Sequence, residues 1–312
     1  MMQFSILGTL EVEHDGRPVS ISAPKVRHML ALLLLRANQM VSVDAAAEEL
    51  WGQHPPRTSL TTVQTYVYTL RKLFNAHTET TGTEILATRS RGYILRIADE
   101  QLDALEFTAR TKKARGLLDS GRPAEAAALL RSALDMWRGP TLADISVGPL
   151  LGANIVHLQE ERERALELRI EADMQAGRYR EVIPDLRAMI SASPWNEWFH
   201  GRLMTALAQC GRRVEALETY QTARRMLKEF ALEPTPELEL IQRRILIGEL
   251  DRGAEDLLRQ PQREETTALP VPTPAPGMSH AGEYRLDRTG PDRTDRRRTQ
   301  LDHSELSWSR QS

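Results

Sequence analysis

Along the first hundred residues the spacing of apolar positions changes twice. Phe4, Ile6 and Leu7, then Leu10 and Val12, then Val19 and Ile21 fall in short runs around His14-Asp15-Gly16-Arg17. This predicts three short strands with a hairpin turn at Asp-Gly. From Pro24 the period lengthens. Val26, Met29, Leu30, Leu32, Leu33, Leu34 and Leu35 lie nearly all round one helix, as expected of a helix at the centre of its domain. Ser22 or Ala23 is placed to cap it, and Pro24 sits where a missing N–H does no harm.

Ser42 opens a second helix, Val43–Trp51, with Val43, Ala46, Ala47 and Leu50 on one face; Gly52 and Pro55-Pro56 end it. A third helix runs from near Thr58 to about Ala76. Its apolar stripe is Leu60, Val63, Val67, Leu70 and Phe74, with Tyr66 and Leu73 beside it. The opposite face carries Thr58, Thr61, Thr62, Thr65, Tyr68, Thr69 and Lys72. After a polar turn at Gly82, Ile85–Thr88 and Tyr93–Ile97 read as two strands joined by Arg89-Ser90-Arg91-Gly92. Strands, three helices and a hairpin predict a winged helix-turn-helix over residues 1–98, with a short N-terminal β-sheet and a C-terminal wing.

From Leu102 the pattern is helical. Gly121-Arg122, Gly177-Arg178 and Gly211-Arg212 each separate two helical stretches, and the last two are 34 residues apart, the tetratricopeptide period. Ala124–Arg138 reads as a helix with Ala127, Leu130, Leu134 and Trp137 on one face, and an irregular insertion is expected around Gly139–Gly152. Residues 99–250 therefore read as an all-α, tetratricopeptide-like domain, giving a mainly α chain. Residues 251–312 contain a proline-rich stretch and dense mixed charge, and are expected to be a disordered tail.

Composition narrows the function. Of 312 residues, 41 are Lys or Arg and 43 Asp or Glu, so a global polyanion-binding charge is excluded. Yet Arg57–Arg96 holds six basic residues against two acids, and affinity for a polyanion follows the local patch. One cysteine, Cys210, excludes an internal disulfide and points to a reducing compartment. No basic segment followed by a long apolar run opens the chain, and no apolar run approaches ~20 residues. A cytoplasmic protein without membrane contact is expected.

The hydroxyl-rich face of the third helix lacks the Glu/Lys pairs usual on a solvated helix. Thr and Tyr hydroxyls can meet phosphate or base edges, and Thr methyls can meet the thymine methyl. The candidate DNA-binding set is Thr61, Thr62, Thr65, Tyr68, Thr69, Arg71 and Lys72, with Arg89 and Arg91 at the wing tip. No catalytic motif is found: there is no phosphate-binding G-x-x-x-x-G-K-[ST], no G-x-S-x-G and no H-E-x-x-H. Eight scattered histidines suggest no metal, and no cofactor or enzyme activity is expected. Trp137, Trp195, Trp198 and Phe199 are read as helix-packing residues. A second reading stays open, a tetratricopeptide-like adaptor whose winged helix contacts protein.

Six segments together carry a resemblance: Phe4–Leu10 (FSILGTL), Pro24–Leu35 (PKVRHMLALLLL), Leu50–Gly52 with Pro55-Pro56, Thr62–Phe74 (TVQTYVYTLRKLF), Arg89–Leu95 (RSRGYIL) and Phe230–Leu246 (FALEPTPELELIQRRIL). Met2–Ile97 resembles the OmpR-type winged helix, the effector domain of two-component systems, and Leu102–Leu246 resembles the bacterial transcriptional activator domain. Together they are similar to the Streptomyces antibiotic regulatory protein family. The resemblance implies a pathway-specific transcriptional activator of an antibiotic or other secondary-metabolite gene cluster. It also implies binding to direct repeats in promoter DNA, as a homodimer or in tandem, and contact with RNA polymerase. By position it places Thr61, Thr62, Thr65, Tyr68 and Thr69 in the groove, Arg71 on the DNA backbone and Arg89 in the wing. OmpR-type helices usually carry Arg where this chain has Tyr68 and Thr69, so the base preference does not transfer.

Overall fold

The computed structural model describes residues 1–251; the expectation of a disordered tail lies beyond them. Strands β1 (Met2–Ser5), β2 (Glu11–His14) and β3 (Arg17–Pro18) form an antiparallel sheet in that order. Asp15 and Gly16 make its hairpin turn at φ 49° and 73°, the left-handed pair that suits tight hairpins. The third strand is shorter than the Val19/Ile21 pattern suggests. Only the Val19 amide, bonded to the Val12 carbonyl at 2.8 Å, continues the ladder.

Helix α1 (Pro24–Leu35) starts at Ala23 with Pro24 in its first turn, and Met29 to Leu34 are buried without a break. Strand β4 (Met40–Ser42) was not legible as a strand: it is three residues long and takes its pairing from a distant segment. Helix α2 (Val43–Trp51) starts where Ser42 caps it, Oγ accepting from the Ala45 amide at 3.1 Å. Gly52, at φ 66°, closes it. Helix α3 (Ser59–His77) buries Val63, Val67, Leu70 and Phe74. Leu60, expected in that stripe, is 52% exposed; it lies in the first turn, before α3 reaches its neighbours. Tyr66 stacks on Trp51 and joins α3 to α2.

A four-residue helix, α4 (Gly82–Ile85), leads into the wing, β5 (Leu86–Arg89) and β6 (Gly92–Leu95). Strand β6 lies between β4 and β5, all antiparallel. Both wing strands are shifted from the expected limits because their bounds follow pairing, Leu86 opposite Leu95 and Arg89 opposite Gly92.

The second half contains α5 (Asp103–Asp119), α6 (Pro123–Leu134), α7 (Pro149–Gln175), α8 (Tyr179–Ala192), α9 (Glu197–Gln209), α10 (Arg213–Glu229) and α11 (Pro236–Leu246). The Gly-Arg pairs end α5, α7 and α9 in the same way. Gly121, Gly177 and Gly211 lie at φ 69°, 74° and 74°, and the following arginine amides return to Leu117, Asp173 and Leu207 at 2.9, 2.8 and 2.8 Å. These are Schellman ends, for which the left-handed glycine is the favoured residue. Helix α6 stops at Leu134, so Trp137 lies beyond it; the ring is buried edge-on against Phe107. Trp195, expected to pack, is instead 60% exposed and meets Phe230 edge-on, because it precedes α9 and sits outside its buried face.

One apolar core runs from Met2 through α1, α2 and α3 into α5, α6 and the first part of α7. A second gathers the end of α7 with α8 to α11. The insertion at 138–148 is a strap along residues 6–10: Arg138, Leu142 and Ala143 donate to the carbonyls of Leu7, Ile6 and Gly8 at 2.7, 3.1 and 3.3 Å. Within it Leu142 is buried at φ 52°, a conformation that surrounding packing must hold.

Three carboxylates reinforce the seam. Asp103 accepts from Ile6 and Leu7 amides at 2.8 to 2.9 Å. Asp144 accepts from the Leu10 amide at 2.8 Å and pairs with Arg27. Glu49 of α2, buried, accepts from the amides of Gly148, Leu150 and Leu151 at the start of α7. Among the described residues no helix is long and apolar enough to cross a membrane.

Candidate nucleic-acid interface

Packing decides which side of α3 is free. Val63, Val67, Leu70 and Phe74 face the core, and Phe4 meets Phe74 edge-on at 6.3 Å between ring centres. Thr61, Thr65, Tyr68, Thr69 and Lys72 are consequently exposed, with Thr62 half-buried. Tyr68 is 68% exposed, large for an aromatic ring that nothing covers.

Three of the threonine hydroxyls are already committed as donors. Thr62, Thr65 and Thr69 each donate to the carbonyl four residues earlier, at 2.9 Å. Each oxygen keeps lone pairs to accept, and each side chain keeps its methyl for a partner. These three threonines can therefore accept from base amino groups and make apolar contact.

No side chain caps the first turn of α3, which leaves a positive helix end facing outward. At its other end Arg71 is half-buried. Its guanidinium reaches the wing, with Nε and Nη2 on the Leu86 carbonyl at 3.0 and 2.7 Å and Nη2 on Thr88 Oγ1 at 2.8 Å. It also lies over the Tyr93 ring at 6.0 Å. Arg71, assigned by sequence to the DNA backbone, thus braces β5 against α3. Arg89 and Arg91 stand exposed at the wing tip. Among the described residues neither they nor Lys72 forms an ion pair, whereas most arginines of the second half are paired, Arg212 with Glu215 and Arg169 with Asp185 among them.

The site residues therefore fall into three groups: a methyl-and-hydroxyl face on α3, unpaired cations at Lys72, Arg89 and Arg91, and an internal brace at Arg71. Sequence reading missed His28 and Glu49, buried beside each other at 3.2 Å. The available signal was Gly148-Pro149, a helix start with no capping side chain of its own. No group of three or more His, Cys, Asp or Glu among the described residues is arranged to hold a metal.

Comparison with known proteins agrees with this layout. Residues 16–95 match the C-terminal domain of transcriptional regulatory proteins, and residues 102–246 the bacterial transcriptional activator domain. Regulatory protein DnrI of Streptomyces peucetius is 33% identical over 82% of this chain and 97% of its own length. Regulatory protein AfsR of Streptomyces coelicolor is 35% identical over 78% of this chain, which spans only 24% of AfsR. The solved structure of Mycobacterium tuberculosis EmbR, in complex with a low-affinity phosphopeptide, superposes with a TM-score of 0.74 at 32% identity. That superposition covers 79% of this chain and 65% of EmbR. With an OmpR-type winged helix joined to a bacterial transcriptional activator domain, this chain belongs to the Streptomyces antibiotic regulatory protein family of transcriptional regulators.

Proposed function

We propose that the chain is a sequence-specific DNA-binding transcriptional activator, and that α3 enters the major groove with Thr61, Thr62, Thr65, Tyr68 and Thr69 toward the bases. The observation that carries this reading is that the winged helix exposes both a methyl-and-hydroxyl face on α3 and the cations Lys72, Arg89 and Arg91, with Arg71 tying α3 to the wing strand β5. Base edges and thymine methyls suit the first, and phosphates the second. Arg71 contributes by holding the wing at its angle to α3. Direct repeats about one DNA turn apart place two protomers on the same side of the duplex, and the helical half presents a surface to RNA polymerase. The genes served are those of a secondary-metabolite cluster, in keeping with the family. The protein acts in the cytoplasm, on the nucleoid, and carries no catalytic step.

The test is a salt-series mobility shift of the full chain on DNA upstream of its own gene and its neighbours, against scrambled duplexes of equal length. Specific retardation that weakens steeply with salt supports the reading. Equal and weak retardation of both duplexes overturns it in favour of an adaptor.

A further inference from the structure

Helix α7 has no cap of its own. Its cap position is Gly148, which lacks a side chain, and its first residue is Pro149, which lacks an amide. The amides of Gly148, Leu150 and Leu151 remain as unsatisfied donors at that end, and Glu49 accepts from all three at 2.7, 2.7 and 3.3 Å. A helix start is ordinarily capped by an oxygen from its own sequence; here the oxygen comes from α2, in the winged helix. The fit is close enough to dictate the residue opposite. A Cβ on Gly148 would lie 2.5 Å from Glu49 Oε1 and 2.7 Å from the Glu49 carbonyl oxygen. His28 of α1 lies 3.2 Å from the same carboxylate.

Helix α7 then passes from one core to the other. Leu151, Leu158, Ala165 and Ala172 belong to the first, Ile170 and Met174 to the second, so the last turns of α7 touch both. The start of α7 is therefore one of the points that set where α8 to α11 stand relative to α3, beside the packing of α7 along α6.

We propose that Glu49 is a positioning residue for activation. By capping α7 in trans, it stiffens the joint between the DNA-reading half and the helical stack, so that DNA held by α3 sets the place of the surface offered to polymerase. The proposal rests on the DNA-reading function proposed above. It assigns Glu49 no contact with DNA or polymerase.

The test uses the full chain as wild type, Glu49→Ala, Glu49→Gln and Gly148→Ala. Gly148→Ala attacks the same joint from the α7 side, and Glu49→Gln, which keeps the side-chain volume, serves if the alanine variant fails to fold. Hydrogen exchange at the Leu150 and Leu151 amides is expected to rise about tenfold while the amides of α3 keep their protection. Affinity for a single DNA site should stay within about threefold, and activated transcription with purified polymerase should fall about tenfold. Unchanged exchange at the start of α7 overturns the cap. DNA affinity and activation falling together in equal measure overturn the positioning role. If the wild-type chain shows no specific DNA binding, the DNA-reading function fails, and the positioning role with it, while the exchange result still decides the cap.

Discussion

Arg71 on α3 holds the wing by the Leu86 carbonyl, donating to it through both Nε and Nη2. A planar fork on one carbonyl fixes direction as well as distance, which a lysine cannot do. Arg71→Ala is expected to destabilise the fold by about 1.5–3 kcal/mol, the range for hydrogen bonds to charged groups, read by urea unfolding. It should also weaken binding to specific and scrambled DNA alike, because the wing loses its angle rather than a base contact. Arg71→Lys should recover only part of either loss.

With the hydroxyl of Thr65 bonded to the Thr61 carbonyl, its methyl is the group it offers a partner. Thr65→Val keeps the methyl and is expected to retain base preference, whereas Thr65→Ser loses it. If a thymine methyl is the partner, replacing thymine by deoxyuridine at one position should cost the wild type about 0.8 kcal/mol, the value of one buried methylene-sized group. Thr65→Ser should be indifferent to that replacement. Competition binding with substituted duplexes checks both.

Among the described residues Arg89 and Arg91 pair with no acid, so their removal should leave the fold unchanged. Thermal midpoints of Arg89→Ala and Arg91→Ala are expected to match the wild type. If each arginine neutralises one phosphate, the slope of log affinity against log salt should fall by about 0.9 per substitution. A slope unchanged in both variants would place the wing tip off the DNA.

Burial raises the Asp103 carboxyl above its ordinary value of 3.8, against the lowering effect of the Leu7 and Ile6 amides and Arg138. The folded state therefore takes up this proton at a higher pH than the unfolded chain. The Asp103 contribution to stability then rises as pH falls through the raised folded pKa, and levels off below the unfolded one. Asp103→Asn should remove that segment of the pH profile. Urea unfolding of both proteins from neutral pH to below the ordinary carboxyl value of 3.8 measures it.

Local signals in the sequence were sufficient wherever one residue settles a local geometry. Ser42 placed the start of α2, Pro24 that of α1, and the three Gly-Arg pairs the ends of α5, α7 and α9. The exposed face of α3 was legible because its apolar stripe is so regular. What escaped depends on partners far along the chain. Strand β4 exists because β6 pairs with it, and Glu49 looks like any surface acid of a short helix until Gly148, 99 residues later, meets it. The brace made by Arg71 escaped for the same reason: sequence shows a cation on a helix, and only the fold shows Leu86 beside it. Leu60 and Trp195 erred in the other direction, since periodicity predicts a buried side without saying whether anything stands opposite.

Helix α7 has consequences for how regulators of this kind exchange parts. The matched segments suggest a joint near residue 100, yet the oily interior does not divide there. Ile6, Leu7 and Phe4 share it with Phe107, Leu130 and Leu151. A hybrid gene spliced at that joint would set one parent's strap and α7 against another parent's β1 and α2. Glu49 and Gly148 would have to match by chance. A splice between Ala172 and Gly177, at the turn that ends α7, leaves that seam within one parent, and the 34-residue units beyond it become the natural currency of recombination.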